Sequence, residues 1–338
     1  APQDNGINLF DRNIAIDQSF NFGYFPFADG WIAGTALPAN TVANGPLTSI
    51  QSTAVQLVTE ANFGSYDGSF PALVDVPEAL LPPFSPFDGD REETSVGKYV
   101  LHLPQFDNVH RDGILLASSP SGEAQVVFPV MAQNDNDNYI SPYFDNLDPA
   151  KSLQLWVFDT NSFIGGAEAD GVSFVYVPFG STYNTGSGDE LIPMGMLNGS
   201  AQLERFQGPV TFELTRTDGD NNSLAWTEGE LRVTGFTPDN STLLAFAAGG
   251  SSQSQDNILT FKPTDTRDGW RLQLRDGPTG AEDGLSPEFH AVQFIVLPDN
   301  ATFTPGGVPQ PSITSTVAGL FTTESLATGN GRGAATAE

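Results

Sequence analysis

The stretch Trp270-Arg271-Leu272-Gln273-Leu274-Arg275-Asp276 sets apolar against polar side chains residue by residue. In an extended chain successive side chains leave opposite faces, so this pattern buries one face of a strand and wets the other. Tyr99-Val100-Leu101-His102-Leu103, Leu153-Gln154-Leu155-Trp156-Val157 and Thr211-Phe212-Glu213-Leu214 read the same way. Between such runs stand Asp112-Gly113, Asp170-Gly171, Asp218-Gly219, Asp268-Gly269 and Asp276-Gly277. Asp-Gly favours tight turns, because glycine takes positive φ without steric cost and aspartate bonds its own backbone. No long run has the helical period of 3.6. Pro77-Glu78-Ala79-Leu80-Leu81 reads as a single helical turn, stopped by Pro82-Pro83. The sequence therefore predicts an all-β chain.

Working outward from that stretch, an internal repeat emerges. Gly97-Lys98-Tyr99-Val100-Leu101, Leu115-Leu116-Ala117, Leu153-Gln154-Leu155-Trp156-Val157-Phe158-Asp159 and Phe174-Val175-Tyr176-Val177-Pro178 follow one another in the first half. Gly229-Glu230-Leu231-Arg232-Val233, Leu243-Leu244-Ala245, Trp270 to Asp276 and Phe294-Ile295-Val296-Leu297-Pro298 repeat the order in the second. The expected fold is two tandem antiparallel β-sandwich domains of jelly-roll-like type, related by internal duplication. Residues 1–30 form an N-terminal extended strand segment and 31–190 the first sandwich, with an insertion at 134–149. The second sandwich is 191–303, and 304–338 is a Pro/Gly linker with a C-terminal tail. A long irregular segment is expected from Gly34 to about Glu93.

Of the 338 residues, 39% are hydrophobic and 11% aromatic, enough for a packed core. The 13 Lys and Arg stand against 41 Asp and Glu, a formal net charge of -28 with a pI near 4.1. Lys98, Lys151 and Lys262 are the only lysines. Such a surface repels nucleic-acid phosphates and anionic lipid, so neither is an expected partner. It stays hydrated in salty water, where screening weakens its self-repulsion. No apolar run approaches the ~18 residues of a membrane span. With no cysteine, disulfides are excluded. The chain begins Ala1-Pro2-Gln3 rather than Met, as after removal of a signal peptide, and a secreted, extracellular or cell-surface protein is expected.

Catalytic patterns are sparse. His102, His110 and His290 lack zinc-site spacing, and G-x-S-x-G is missing. Carboxylates are too many to single out a hydrolytic pair, and the Asn134–Pro149 loop is the one segment suited to building a cleft. No enzyme is predicted. Asn134-Asp135-Asn136-Asp137-Asn138 and Asp218-Gly219-Asp220-Asn221-Asn222 concentrate hard oxygen donors without EF-hand spacing. Asp135, Asp137, Asp218 and Asp220 are therefore the candidate Ca2+ ligands. Trp31, Tyr139, Tyr143 and Trp226 are aromatic residues suited to stacking on sugar rings if exposed.

One stretch of the second half resembles a known type of unit. It comprises Thr211-Phe212-Glu213-Leu214-Thr215-Arg216-Thr217, Gly229 to Pro238, Asp256-Asn257-Ile258 and Phe294 to Pro298. Over residues 209–298 it is similar to repeat β-domains of large uncharacterised secreted proteins of aquatic bacteria. That resemblance implies an exported repeat domain and no particular chemistry.

The ends carry the functional expectation. Ile7, Leu9, Ile14, Ile16, Phe20 and Phe22 alternate near the N-terminus, and the polar tail is apolar only at Ile313, Val317, Leu320, Phe321 and Leu326, alanines aside. Both segments suit strands donated to another subunit, which would close an exposed sheet edge with backbone hydrogen bonds. The expected function is a structural subunit of an extracellular filament, sheath or surface assembly, with the chain itself as partner. The alternative is a carbohydrate-binding or adhesive module that contacts extracellular glycans with the help of Ca2+.

Overall fold

A computed structural model describes residues 20–25, 31–38, 47–52, 54–75, 98–118, 120, 125–130, 147–159, 171–217, 226–248, 258–275, 291–306 and 317–321. Strand β1 (Phe20–Tyr24) comes first, then β2 (Ile32–Pro38), β3 (Leu47–Ser52) and β4 (Gln56–Val58). A one-turn helix α1 (Glu60–Phe63) leads to β5 (Ala72–Asp75) and β6 (Lys98–His102). A second, α2 (Val109–Asp112), leads to β7 (Gly113–Ser118), β8 (Gln125–Val130), β9 (Ser152–Asp159) and β10 (Val172–Pro178). The short β11 (Thr182–Asn184) and β12 (Asp189–Leu191) precede β13 (Met194–Leu197), β14 (Leu203–Gln207), β15 (Val210–Thr217) and β16 (Trp226–Val233). Then come β17 (Ser241–Ala248), β18 (Ile258–Pro263), β19 (Trp270–Arg275), β20 (Ala291–Pro298), β21 (Thr302–Thr304) and β22 (Val317–Phe321). Among the described residues no helix is long and apolar enough to cross a membrane.

The larger sheets stack in layers. A first outer sheet, β4-β5-β6-β9-β8, faces a first inner sheet, β3-β2-β10-β7. A second inner sheet, β14-β13-β20-β17, faces a second outer sheet, β15-β16-β19-β18. Tyr99, Leu101 and Leu155 of the first outer sheet meet Leu115, Phe174 and Tyr176 of the first inner sheet in one core. Leu231, Trp270 and Leu272 meet Leu243, Phe294 and Val296 in another. A middle core joins the two inner sheets back to back, with Ala33, Leu116, Val175 and Val177 packed with Met194, Leu244, Ile295 and Leu297. The inner strands are thus buried on both faces, and that is why Phe174–Pro178 and Phe294–Pro298 do not alternate. Val292 to Pro298 is buried throughout.

Both sheet pairs have one strand order. The inner sheets match as β3-β2-β10-β7 and β14-β13-β20-β17; the outer sheets match as β5-β6-β9-β8 and β15-β16-β19-β18. The match holds at residue level. Phe174 lies between Gly34 and Ala117 across the first inner sheet, and Phe294 between Gly195 and Ala245 across the second. A Cβ on Gly34 would stand 2.8 Å from the Phe174 ring, so glycine is what lets that ring lie over the next strand. In the outer sheets Leu73, Leu101 and Leu153 form a row matched by Phe212, Leu231 and Trp270. The sequence blocks had set Tyr99 against Leu231, two residues away. A two-residue slip keeps each side chain on its face, so the pattern alone does not detect it.

The expected all-β, antiparallel character holds, with one exception among the described residues: β4 and β5 run parallel. Each sandwich contains in-sheet hairpins such as β2 with β3 and β13 with β14. The segment expected to be irregular from Gly34 to Glu93 holds most of β2, all of β3, β4 and β5, and helix α1. Its strands are short, and β2 is built from small residues buried on both faces, so neither periodicity shows. The boundary expected at 190/191 falls inside β12, and the tail expected at 304–338 contains β22. Most of the 134–149 insertion, and all of Pro77–Leu81, lie outside the described residues.

Ile295, fully buried in the middle core, tests whether that core couples the two halves. Ile295→Ala should lower unfolding stability by about 2 to 5 kcal/mol, as expected for a truncated core side chain. Urea unfolding followed by tryptophan fluorescence measures it, and a loss below about 1 kcal/mol would mean the inner sheets share no working core.

Candidate functional site

The first and last described strands meet on one edge of the fold. β1 and β22 pair antiparallel, with Phe20 opposite Phe321, Asn21 opposite Leu320, Phe22 opposite Gly319 and Tyr24 opposite Val317. Both strands lie against β17, the edge strand of the second inner sheet. Asn21 Nδ2 donates to the Leu243 carbonyl of β17 at 2.8 Å. Gly23 lets β1 approach, since a Cβ there would stand 2.7 Å from Leu244 Cδ1. Phe25 then packs edge-on to the buried Trp31, with ring centroids 5.2 Å apart. Of the predicted contact residues, Phe20, Phe22, Val317, Leu320 and Phe321 are therefore brought together within one chain. Ile7, Leu9, Ile14, Ile16 and Ile313 lie outside the described residues.

The matching edge of the first inner sheet is β7, and it is capped in a related way. Gln293, buried in the second inner sheet, accepts from the Leu115 N–H at 2.6 Å. Leu115 and Leu243 occupy equivalent positions, opposite Tyr176 and Val296. A side-chain amide thus bonds the edge backbone at both places, as a further strand would. Sequence reading missed Asn21 and Gln293, because an amide on a strand carries no pattern that says what it caps.

The outer edges differ. In the first outer sheet β5 is flanked by parallel β4, with Gln56, Leu57 and Val58 opposite Ala72, Leu73 and Val74. Its counterpart β15 has no strand on its outer side among the described residues. Thr211, Glu213, Leu214 and Thr215 of β15 are exposed, Leu214 to 41%. The first five pairs of β15 with β16 are in plain register, and irregularities begin only after Leu214.

The solvent face of the second outer sheet carries an ion-pair lattice. Arg232 reaches Glu213, Glu230 and Asp268, while Arg271 reaches Glu228 and Glu230, the last at 3.0 Å. Isolated pairs at such exposure contribute about 0 to 1 kcal/mol each, so the lattice contributes mainly by matching charges on a face that water sees. The hydroxyls of Thr266 and Thr264, followed by Arg232, hold the Asp268 carboxyl down at about 2.

Chemistry beyond this is confined. His102 and Ser152 are buried and bonded, with Nδ1 and Oγ 2.8 Å apart, while Nε2 faces the Gly68 carbonyl at 3.1 Å. A carbonyl only accepts, so a ring proton sits on Nε2, while the Ser152 hydroxyl beside Nδ1 donates to the Asp148 carbonyl at 2.9 Å. Burial pushes the His102 pKa down, and with both groups sealed from solvent the pair fastens the loop at Gly68 to β6 and β9. His110 is buried in α2, and His290 lies outside the described residues. Among the described residues no three His, Asp or Glu side chains gather to hold a metal ion. The four candidate Ca2+ ligands Asp135, Asp137, Asp218 and Asp220 lie outside the described residues, as do Tyr139 and Tyr143. Trp31 is 0% exposed, which removes it as a sugar platform; it fills the middle core instead.

Asp75 ends β5 and accepts from the Leu47 N–H at 2.8 Å. Burial, aided by the Glu60 charge, raises its pKa to about 6. The folded value lies above the unfolded 3.8, so this preference for the protonated form stabilises the fold fully below about 3.8 and is lost as pH rises through 6. Asp75→Asn keeps an acceptor for Leu47 without the charge. It should raise stability by about 2 kcal/mol at pH 8 and leave it nearly unchanged at pH 4, by urea unfolding at both. An equal effect at the two pH values would show that Asp75 ionises freely.

Compared with known protein families, with curated proteins and with solved structures, the chain matches none.

Proposed function

We propose that the protein is a non-catalytic structural subunit of an extracellular filament, sheath or surface assembly, joined to further copies of itself through its terminal strands. The observation that carries this reading is the unequal treatment of the sheet edges. β1 and β22 stand outside the four large sheets and cover the β17 side of the second sandwich, while the β15 side has no such cover among the described residues. An uncovered edge strand is a template for pairing with another chain, and folds that stay monomeric normally blunt it. We read the two sandwiches as copies of one unit produced by internal duplication, a reading supported by their common strand order and their matched Gly–Phe–Ala rows. Two copies packed back to back through a shared core make a rigid block suited to load-bearing.

Charge sets the condition for assembly. Each chain carries a formal net charge of -28, so copies repel at low ionic strength. At ~1 M salt the screening length falls to about 3 Å, and only contacts at the interface still count. Negative-stain microscopy and light scattering at low and high salt should show monomers in the first and ordered filaments or sheets in the second. Deleting residues 1–18 removes the apolar N-terminal run but spares β1, which is bound to β17 within the chain. That variant should stay folded and monomeric at both salts. A full-length chain that remains a monodisperse monomer at both would overturn the assembly reading.

A further inference from the structure

We infer that the outer edge of β15 is an acceptor for the run Ile14-Ala15-Ile16 of a second copy, added parallel to β15 as β4 is added to β5. This rests on the assembly reading and names its contact. The comparison between the two sandwiches carries it. Ala72, Leu73 and Val74 correspond to Thr211, Phe212 and Glu213, because Leu73 faces Leu101 as Phe212 faces Leu231. At the first set the fold supplies a three-residue parallel strand whose Leu57 joins the core. At the second set the link from β14 to β15 is only Gly208-Pro209, where β3 and β5 are separated by the segment that holds β4 and α1. Nothing between β14 and β15 is long enough to supply the corresponding strand.

Ile14-Ala15-Ile16 fits the position on three counts. It has the length of β4, its β-branched residues favour extended backbone, and its alternation sends two isoleucines to one face. Joined beside β15 one residue further along than β4 beside β5, with Ile14, Ala15 and Ile16 at Phe212, Glu213 and Leu214, the isoleucines would face the second core and Ala15 the solvent side that Glu213 occupies.

Geometry favours a second copy over the same chain. β1 lies against β17, on the side of the sandwich away from β15. A four-stranded sheet is about 14 Å across and its neighbour lies about 10 Å away, so the diagonal is roughly 17 Å before the offset of β1 is added. From Ile16 to Phe20 an extended chain spans only about 14 Å. Donor and acceptor are therefore different surfaces on opposite sides of one molecule. Such a contact is head-to-tail and propagates as an open chain unless the rotation closes a ring.

The absence of native cysteine gives a clean test. Ala15→Cys chains are mixed with Glu213→Cys chains at high salt, oxidised, and compared with Ala15→Cys mixed with Lys262→Cys on the opposite edge strand β18. Light scattering monitors assembly in both mixtures. Disulfide-linked heterodimer should exceed the Lys262 control by roughly tenfold, since only paired strands hold the thiols at high effective concentration. Assembly without that excess overturns this contact and leaves the assembly reading standing. Failure of every mixture to assemble, with unmodified chain failing too, overturns both. A double variant Ala15→Cys/Glu213→Cys that closes its disulfide within a monomer also overturns the inference, by making the chain its own donor.

Discussion

The middle core is the constraint on which the rest of the molecule depends. Ala33, Leu116, Val175 and Val177 meet Met194, Leu244, Ile295 and Leu297 in one buried cluster, so the inner sheets lose both faces to packing. Fully burying one such aliphatic side chain contributes about 1.5 to 3 kcal/mol, and several act together here. A sheet buried on both faces has only its edges left to meet water or a partner. Hence the edges carry the specific polar devices of the inner layers: Gln293 on Leu115, Asn21 on Leu243. Both place an amide where an unbonded backbone group at the margin of the core would be expensive.

This layering decides how much of the fold was legible. Trp270–Arg275 belongs to an outer sheet, and its alternation is the direct image of one dry and one wet face. Phe294–Pro298 belongs to an inner sheet, and its apolar run is the image of two dry faces. Both are recognisable as strands, and the two sandwiches share one strand order. β2 was not, because Ala33, Gly34 and Ala36 are small enough to be buried on both sides without looking apolar. The Gly34–Phe174–Ala117 row explains that choice: the large ring takes the volume its neighbours give up. The two-residue displacement of the Tyr99 block had a different origin, since period-two patterns are blind to even shifts.

The candidate site was legible only in part. Alternation in Phe20 and Phe22 and the apolar set Val317, Leu320 and Phe321 marked strands at both ends, yet nothing in either run said that they pair with each other. Pairing is a long-range choice between segments almost as far apart as the chain allows. The β15 edge left no trace of its own, because Val210–Thr217 reads like any half-buried strand. Its standing appears only when the two sandwiches are laid strand against strand.

That comparison also ties two differences between the sandwiches to one cause. In the first outer sheet Val74 and Val100 face outward, and Val58, Phe63, Tyr66 and Phe70 of the segment between β3 and β5 cover them. In the second, the same positions are Glu213 and Glu230, paired with Arg232 and Arg271, and the face is bare. A sheet face is made of side chains, so losing its cover can be answered by substitution, valine to glutamate and a cation beside it. A sheet edge is made of backbone N–H and C=O groups, which no substitution except proline removes. Where the first sandwich has the segment that carries β4, the second has only Gly208-Pro209, and its outer face is polar while its β15 edge keeps its backbone groups. What remains there is an edge of five residues in plain register, with no strand beside it among the described residues.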